Sequence, residues 1–435
     1  MANHKYVAEL SVFSYTKYNE QTFKNQRKRG NLMKFIHAAD VHLGNPFNGL
    51  QNMPIELLNR VQEATTTAFE RMIDDALSQR VDFVLLPGDL FDSANQSVTT
   101  LDFLGEQFER LYTAKIPVYL SYGNHDFMAD SLAKLPWPAN VHVFGTAITT
   151  EKLVLADGTT VAITGFSYPQ RHLATDMAIE FPLKQTEDFQ IGMYHGTVGG
   201  NDASYAATSV TELLAKHYDY WALGHIHKRQ VLHEHPTISY SGNIQGHNEK
   251  ETGAKGYLLV KSENGELLPV FIPVAPIIWE QLTVDVVGIK NQGDLVATIS
   301  AKLVTLIRPE LQIFTVTLIG IESLSDVMRV RIDDGTTTYQ VNQQLITKQD
   351  VVWVNGIIAV ADVVQPQIMS LDNSYWEKAA SEVFNASNIH QIGLKNLPDT
   401  FITSHFDDPA VLSQLQQRAR QLMNATIHGE VTDED

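Results

Sequence analysis

The sequence predicts an α/β fold over most of its length, followed by a smaller α+β unit, and three observations carry that expectation. Strand-like and helix-like segments alternate from residue 34 to about 275. Five of the strand-like runs end in a carboxylate, a carboxamide or an imidazole. Two prolines, Pro273 and Pro276, punctuate the chain just before the pattern changes.

The elements follow in order. KFIHAA, opening after Met33, is strand-like, and ELLNRVQEATTTAFERMIDDAL has helical periodicity. VDFVLL reads as a buried strand, SVTTLDFLGEQFERLY as a helix and IPVYL as a strand. KLVLADGTTVAITGF is a hairpin with Asp157-Gly158 at its turn, and QIGMY is the next strand. SVTELLAKHY is a helix capped by Ser209 or Thr211, and YWAL is a strand. KGYLLVKSENGELLPVFI is a second hairpin, turning at Asn264-Gly265. Beyond the prolines, LTVDVV, a helix near GDLVATISAKLVTLI and QIFTVTLIGI predict the small α+β unit over 280–365. In 366–435 one helix stands out. Asp407 or Asp408 caps it, Pro409 suits its first turn, Gly429 follows it, and Leu412, Leu415, Ala419 and Leu422 share a face. Residues 1–32, with the basic run Lys24, Arg27, Lys28, Arg29, read as a poorly ordered extension; a nucleic-acid-binding arm is the alternative. The expected division is therefore 1–32, 33–275, 280–365 and 366–435.

Composition narrows the function classes. The chain has 435 residues and no cysteine, which excludes disulfides, thiolate metal sites and cysteine nucleophiles and suits a reducing cytoplasm. No apolar run approaches the roughly 18 residues of a membrane helix, and no secretory leader is expected. The net charge of −18 disfavours unaided binding to a phosphate backbone unless bound cations or a basic partner reverse the field locally.

The polar strand ends carry the chemistry. KFIHAA is followed by Asp40-Val41-His42, and VDFVLLP by Gly88-Asp89 with Asp92 three residues on. IPVYLSY leads to Gly123-Asn124-His125-Asp126, QIGMY to His195-Gly196, and YWAL to Gly224-His225-Ile226-His227. Each piece alone is a turn, a surface histidine pair or a core histidine. Together, in order and each after a strand, they are expected to converge, because ligands bind at the carboxyl ends of strands in open α/β sheets. Asp40, His42, Asp89, Asn124, His195, His225 and His227 offer oxygen and imidazole ligands without sulfur. That mix suits Mn²⁺, Fe²⁺ or Zn²⁺, and there are enough donors for two ions with positions left open. Alternate residues of an extended strand end point the same way, which favours the D-x-H and H-x-H spacings.

This ordered set, D-x-H, GD-x-x-D, GNHD, H and GH-x-H, resembles the calcineurin-like metallophosphoesterase superfamily over residues 34 to about 245. The resemblance implies a four-layer sandwich of two mixed β-sheets flanked by helices. It implies Asp40, His42 and His227 as ligands of one metal, Asp89 as the bridge, and Asn124, His195 and His225 as ligands of the other. His125 matches the family's catalytic histidine and would protonate the leaving oxygen or stabilise developing charge. Asp92 would orient it, although recombination nucleases of the superfamily carry histidine there, and Asp92 alone reads as a helix N-terminal carboxylate. Asp126 is expected to be structural. "FIHAADVHLGNPF", "LLPGDLFD" and "ISYSGNIQGHNEKETGAKGYLLV" are similar to the SbcD-type DNA repair exonucleases, above all their YhaO-like branch. That implies two divalent ions, foremost Mn²⁺, DNA as substrate, and a partner SMC-type (SbcC-like) coiled-coil ATPase contacted by the C-terminal helical segment. A homodimer is a further expectation.

Two points stay open in the sequence. Asn243, Gln245 and His247 either line a DNA path or belong to a plain connecting loop. Arg171, His172, Lys228, Arg229, Lys250 and Lys255 either form a basic patch or simply solvate a surface. The alternatives to a nuclease are a phosphodiesterase for a small molecule or nucleotide, and a non-cleaving scaffold. The full ligand set beside His125 argues against the scaffold. Other histidines, including His37 inside a strand and His217 in a helix, are read as core or surface residues.

Overall fold

A computed structural model of the chain describes residues 32–360, apart from 48–49, 51, 93–96, 129–134, 201–203 and 349, and short helical stretches between 378 and 416. The chain falls into two compact units, 1–361 and 362–435. The expected extension 1–32 lies outside the described residues except for Leu32, as do Asp407, Asp408, Pro409, Ala419, Leu422 and Gly429. Leu412 and Leu415 are helical and half-buried.

The first unit is built on two six-stranded mixed sheets and one of three strands. The first sheet contains β1 (Lys34–His37), β2 (Phe83–Pro87), β3 (Val118–Ser121) and β4 (Val141–Val143), which run parallel. The second contains β5 (Thr149–Val154), β6 (Thr160–Gly165), β7 (Phe189–His195), β8 (Tyr220–Gly224), β9 (Gln230–His233) and β10 (Thr237–Tyr240). Within it β6, β7, β8 and β10 are parallel, edged by antiparallel β5 and β9. The hairpin β11 (Gly256–Glu263) and β12 (Glu266–Pro273) returns to extend the first sheet beside β1. Both predicted hairpin turns are present: Gly158, Asn264 and Gly265 take the positive φ that such turns require.

The central strands are apolar on both faces because both faces are covered. Phe35, Phe83, Leu85 and Tyr119 of the first sheet meet Ile163, Ile191, Met193 and Tyr220 of the second in one buried layer. On the outer face of the first sheet, Ile36, Val84 and Leu120 pack on Phe69, Met72, Leu104 and Phe108. Those last four come from α2 (Ala64–Gln79) and α3 (Val98–Thr113). The outer face of the second sheet, with Tyr194, Trp221 and Ile238, is covered by Phe181 and by Leu213 of α4 (Val210–Leu214). The helical run predicted near 55–77 is two helices, α1 (Ile55–Gln62) and α2, with Glu63 between them, and the Thr66 hydroxyl bonds the Glu63 carbonyl at 2.8 Å. Ser209 is the cap of α4, closing a capping box with Glu212, whereas Thr211 lies inside the helix.

After the prolines come β13 (Ile277–Asp285), α5 (Gln292–Val304), β14 (Leu311–Ile319), α6 (Asp326–Asp333), α7 (Thr336–Gln344) and β15 (Val352–Ala359). The three strands are all parallel. One face of this sheet packs on its own helices through Leu295, Ile299, Val316 and Val341. The other, with Trp279, Ile313 and Trp353, packs on Leu57 and Val61 of α1.

Candidate metal centre

β1, β2 and β3 lie side by side and parallel, so the segments that follow them leave the first sheet at one edge. The backbone locks them together: Asp40 N–H bonds Gly88 O at 3.3 Å, and His42 N–H bonds Asp89 O at 3.0 Å. β7 and β8 bring His195 and His225 to the same place from the second sheet. His195 Nδ1 lies 3.1 Å from Pro87 O, the last residue of β2. Asp40, His42, Asp89 and His225 all have positive φ, between 50° and 102°. Four non-glycine residues in that sparsely populated region mark a place where the surrounding bonds overrule local preference.

All seven predicted ligand residues converge. One oxygen, Asn124 Oδ1, faces His195 Nε2 at 3.0 Å and His225 Nδ1 at 3.1 Å. Asp89 Oδ2 lies 3.3 Å from His195 Nε2 and 3.7 Å from His42 Nε2, midway between the two groups of residues. His42 Nε2 and His227 Nε2 face each other at 3.0 Å. Ligand atoms of Asp40, His42 and His227 lie within 4.8 Å of one another, as do those of Asp89, His195 and His225. Asp40, His42, Asp89, Asn124 and His195 are all buried.

The donor set fits divalent cations. Asp40 Oδ2 is buried and has no hydrogen-bond partner, while Asp40 Oδ1 accepts the His225 N–H at 2.8 Å. An unpaired buried carboxylate oxygen is costly unless a cation meets it. Burial opposes charge on His42, yet its bond to Asp92 and the carboxylates of Asp89 and Asp40 push it up to about 8. Burial likewise opposes charge on His195, and Asp89 and Asp40 push it up to about 9. Burial disfavours the Asp89 anion, but His195, His42 and His125 hold its carboxyl below the usual range. The cluster thus attracts positive charge. Room is made by glycine: a Cβ on Gly88 would fall 2.1 Å from His195 Nδ1, and one on Gly123 would fall 2.3 Å from Asp89 Oδ1.

His125 stands at the rim, its side chain 34% exposed and its ring edge-on to His42. Its Nδ1 donates to a carbonyl, Asp92 O, at 3.0 Å. The Asp92 carboxylate, expected to hold this ring, is 3.9 Å away; it lies 3.4 Å from His42 Nδ1 and accepts from Asn45 Nδ2 at 2.8 Å. Asp92 therefore meets His125 through its backbone carbonyl, while its carboxylate lies near His42. Asp126 accepts three backbone N–H bonds, from Leu90, Phe91 and Gly123, and is a structural brace.

The segment between β10 and β11 is an irregular connecting loop. Asn243, Gln245 and His247 are buried rather than arrayed along a path. Their loop carries Glu251 to His227, with Oε1 2.8 Å from Nδ1, a contact that no motif spacing announced. Of the six residues of the suggested basic patch, Lys255 is buried with its Nζ on His227 O at 2.9 Å. Arg229 is stacked over Phe271.

The sequence profile of the calcineurin-like phosphoesterase family matches residues 33–229. Among known proteins, the uncharacterized metallophosphoesterase YhaO of Bacillus subtilis is 44% identical over 60% of this chain and 65% of its own length. A nuclease SbcCD subunit of Staphylococcus epidermidis is 27% identical over 56% of this chain and 70% of its own. The DNA double-strand break repair protein Mre11 of Thermoplasma acidophilum is 26% identical over 53% and 63%. This chain spans just under two thirds of the YhaO relative's length.

Proposed function

From the premise that residues 33–229 are a calcineurin-like phosphoesterase domain, a fold that implies metal-dependent phosphoester hydrolysis, we propose that the protein is one component of a DNA nuclease. The observation that carries the reading is the buried convergence of Asp40, His42, Asp89, Asn124, His195, His225 and His227 beside a half-exposed His125. The choice of DNA is supported by relatives named as part of a nuclease and as a DNA double-strand break repair protein.

Asp40, His42 and His227 would hold one ion, Asn124, His195 and His225 the other, and Asp89 would serve both, with Mn²⁺ as the resident metal. When bound, such a pair supplies Lewis acidity and an ionised water near neutral pH. The residues of the chain do the rest. With its Nδ1 proton held by Asp92 O, His125 presents Nε2 to the scissile phosphodiester. The protonated ring donates from Nε2 to the leaving oxygen, and the Asp92 carbonyl fixes the ring plane throughout. Asn124 Oδ1 holds close to both His195 Nε2 and His225 Nδ1, keeping the donors of the second ion together.

In this reading 33–275 is the nuclease domain, 280–365 a capping domain, and 366–435 the contact to a coiled-coil SMC-type ATPase that delivers DNA, in the cytoplasm. The net charge of −18 favours a second reading, a phosphodiesterase for a small molecule or nucleotide. Mn²⁺-loaded protein assayed on single-stranded and hairpin DNA, against bis-p-nitrophenyl phosphate and cyclic nucleotides, separates the two. DNA cleavage that is lost in His125→Asn is the expected result. Turnover of the small diesters alone would overturn the nuclease assignment.

A further inference from the structure

A histidine binds a metal through one ring nitrogen, and the bond made by the other decides which nitrogen is available. Two residues of the centre have that bond made by the main chain: His195 donates from Nδ1 to Pro87 O and His125 from Nδ1 to Asp92 O. His227 is different. Its Nδ1 meets a side chain from 24 residues away, Glu251, at 2.8 Å, while its Nε2 faces His42 Nε2 and the Asp40 group.

Glu251 is itself held in one orientation. Its other oxygen, Oε2, accepts Asn243 Nδ2 at 2.7 Å and the His247 backbone N–H at 2.8 Å. Every neighbour on the carboxylate is a donor, so the site needs two acceptor oxygens, which a carboxylate has and a carboxamide lacks. The loop that carries it is tied to the next sheet: Gln245 Nε2 bonds Ile277 O at 3.0 Å, Trp279 Nε1 bonds Gly246 O at 2.9 Å, and Thr315 Oγ1 bonds Glu249 Oε2 at 3.0 Å.

We infer that Glu251 is the positioning residue of His227: it keeps the ring proton on Nδ1 and so offers the Nε2 lone pair to a divalent cation. The inference rests on the dinuclear reading given above. A plain loop staple would use the same bonds but would have no bearing on the ring tautomer. Glu251→Gln separates the two. Its single carbonyl oxygen stays with the two donors of Asn243 and His247, its NH₂ turns to His227 Nδ1, and the ring proton is driven to Nε2, where it blocks the metal.

The experiment uses the full chain and Mn²⁺ alone. Calorimetric titration of the wild type is expected to show two sites, and Glu251→Gln is expected to weaken one of them by about 10- to 100-fold while sparing the other. Nitrogen-15 NMR of histidine-labelled, metal-free protein is expected to show His227 as the Nδ1–H tautomer in the wild type and as the Nε2–H tautomer in the variant. Unchanged affinity with an unchanged tautomer overturns the inference. A wild-type His227 protonated on Nε2 also overturns it, and needs no variant to fold. A wild type that binds no Mn²⁺ would instead overturn the dinuclear reading, which the tautomer measurement does not touch.

Discussion

Gly123→Ala puts one methyl group into the centre and tests whether its residues act as a unit. The added Cβ would lie 2.3 Å from Asp89 Oδ1, 2.6 Å from His195 Nε2 and 2.7 Å from His195 Cε1, where ordinary contact begins at 3.4 Å. Asp89 would have to retreat by about 1 Å, giving up the 2.9 Å bond that its Oδ1 accepts from His125 N–H. Metal–ligand distances tolerate only about 0.2 Å, so the retreat removes a ligand. The expected loss of Mn²⁺ affinity is at least about 10-fold, with roughly 1–3 kcal/mol of stability lost to overpacking. Gly105→Ala is the control: it lies in α3 with nothing within 4 Å of its Cβ position, and in a helix it should be neutral or stabilising by up to about 1 kcal/mol. Calorimetric Mn²⁺ titration and urea unfolding read both quantities. A Gly123→Ala protein that binds Mn²⁺ like the wild type would refute the convergence of these residues on one centre, and so would equal losses in Gly105→Ala.

Three further outcomes are expected. His125→Asn should keep the Mn²⁺ stoichiometry by calorimetry and lower phosphodiester hydrolysis by about 10²- to 10⁴-fold; retained turnover would remove His125 from the mechanism. Asp126→Ala leaves three main-chain N–H groups without their acceptor and should cost more than about 3 kcal/mol in urea unfolding; a loss below about 1 kcal/mol would contradict the brace. His37, buried between Tyr220 Oη at 3.0 Å and Leu223 O at 3.1 Å, is pushed down to about 3 by burial. Its neutral form is the folded one, so the stability it contributes is whole above about pH 6.5 and drains away as pH falls toward about 3, by roughly 2 kcal/mol between about pH 7.5 and about pH 5. That slope should be absent from His37→Phe in urea unfolding at the two pH values, and identical slopes would sink the assignment.

What could be read from sequence, and what could not, divides along a physical line. The strands, the turns at Asp157-Gly158 and Asn264-Gly265, and the polar residues after five strands are local patterns, set by apolar runs and by residues suited to positive φ. The convergence of those residues was legible because parallel strands deliver their ends to one edge. Glu251 was not legible, because it meets His227 across 24 residues of irregular loop and no periodicity joins them. Asn243 and His247 read as candidate surface groups because they are polar; in the fold Glu251 takes up the Asn243 side chain and the His247 main chain. The hold on His125 comes from a main-chain carbonyl, and any residue at 92 would carry one. The break between α1 and α2 escaped for a similar reason: Glu63 is a good helix former, and only its neighbours' bonds show the junction.

The electrostatics of the centre bear on the substrate. Asp40, Asp89, Asp92 and Glu251 gather four carboxylates around the histidines in a chain of net charge −18. Without bound cations, the protons drawn onto His42 and His195 are the compensating charge. Two basic side chains stand near this edge: Lys255, bonded to His227 O, and Arg229, stacked over Phe271, and Lys255 interacts electrostatically with Asp40 and Glu251. A phosphodiester approaching this edge would be attracted most strongly where divalent ions have displaced those protons, or where a partner adds positive charge. On the proposed reading, ions in the centre would both form the catalytic site and give an acidic protein its hold on an anionic substrate. An ATPase that brings the DNA would relieve the rest of the surface of a task for which its charge is ill suited.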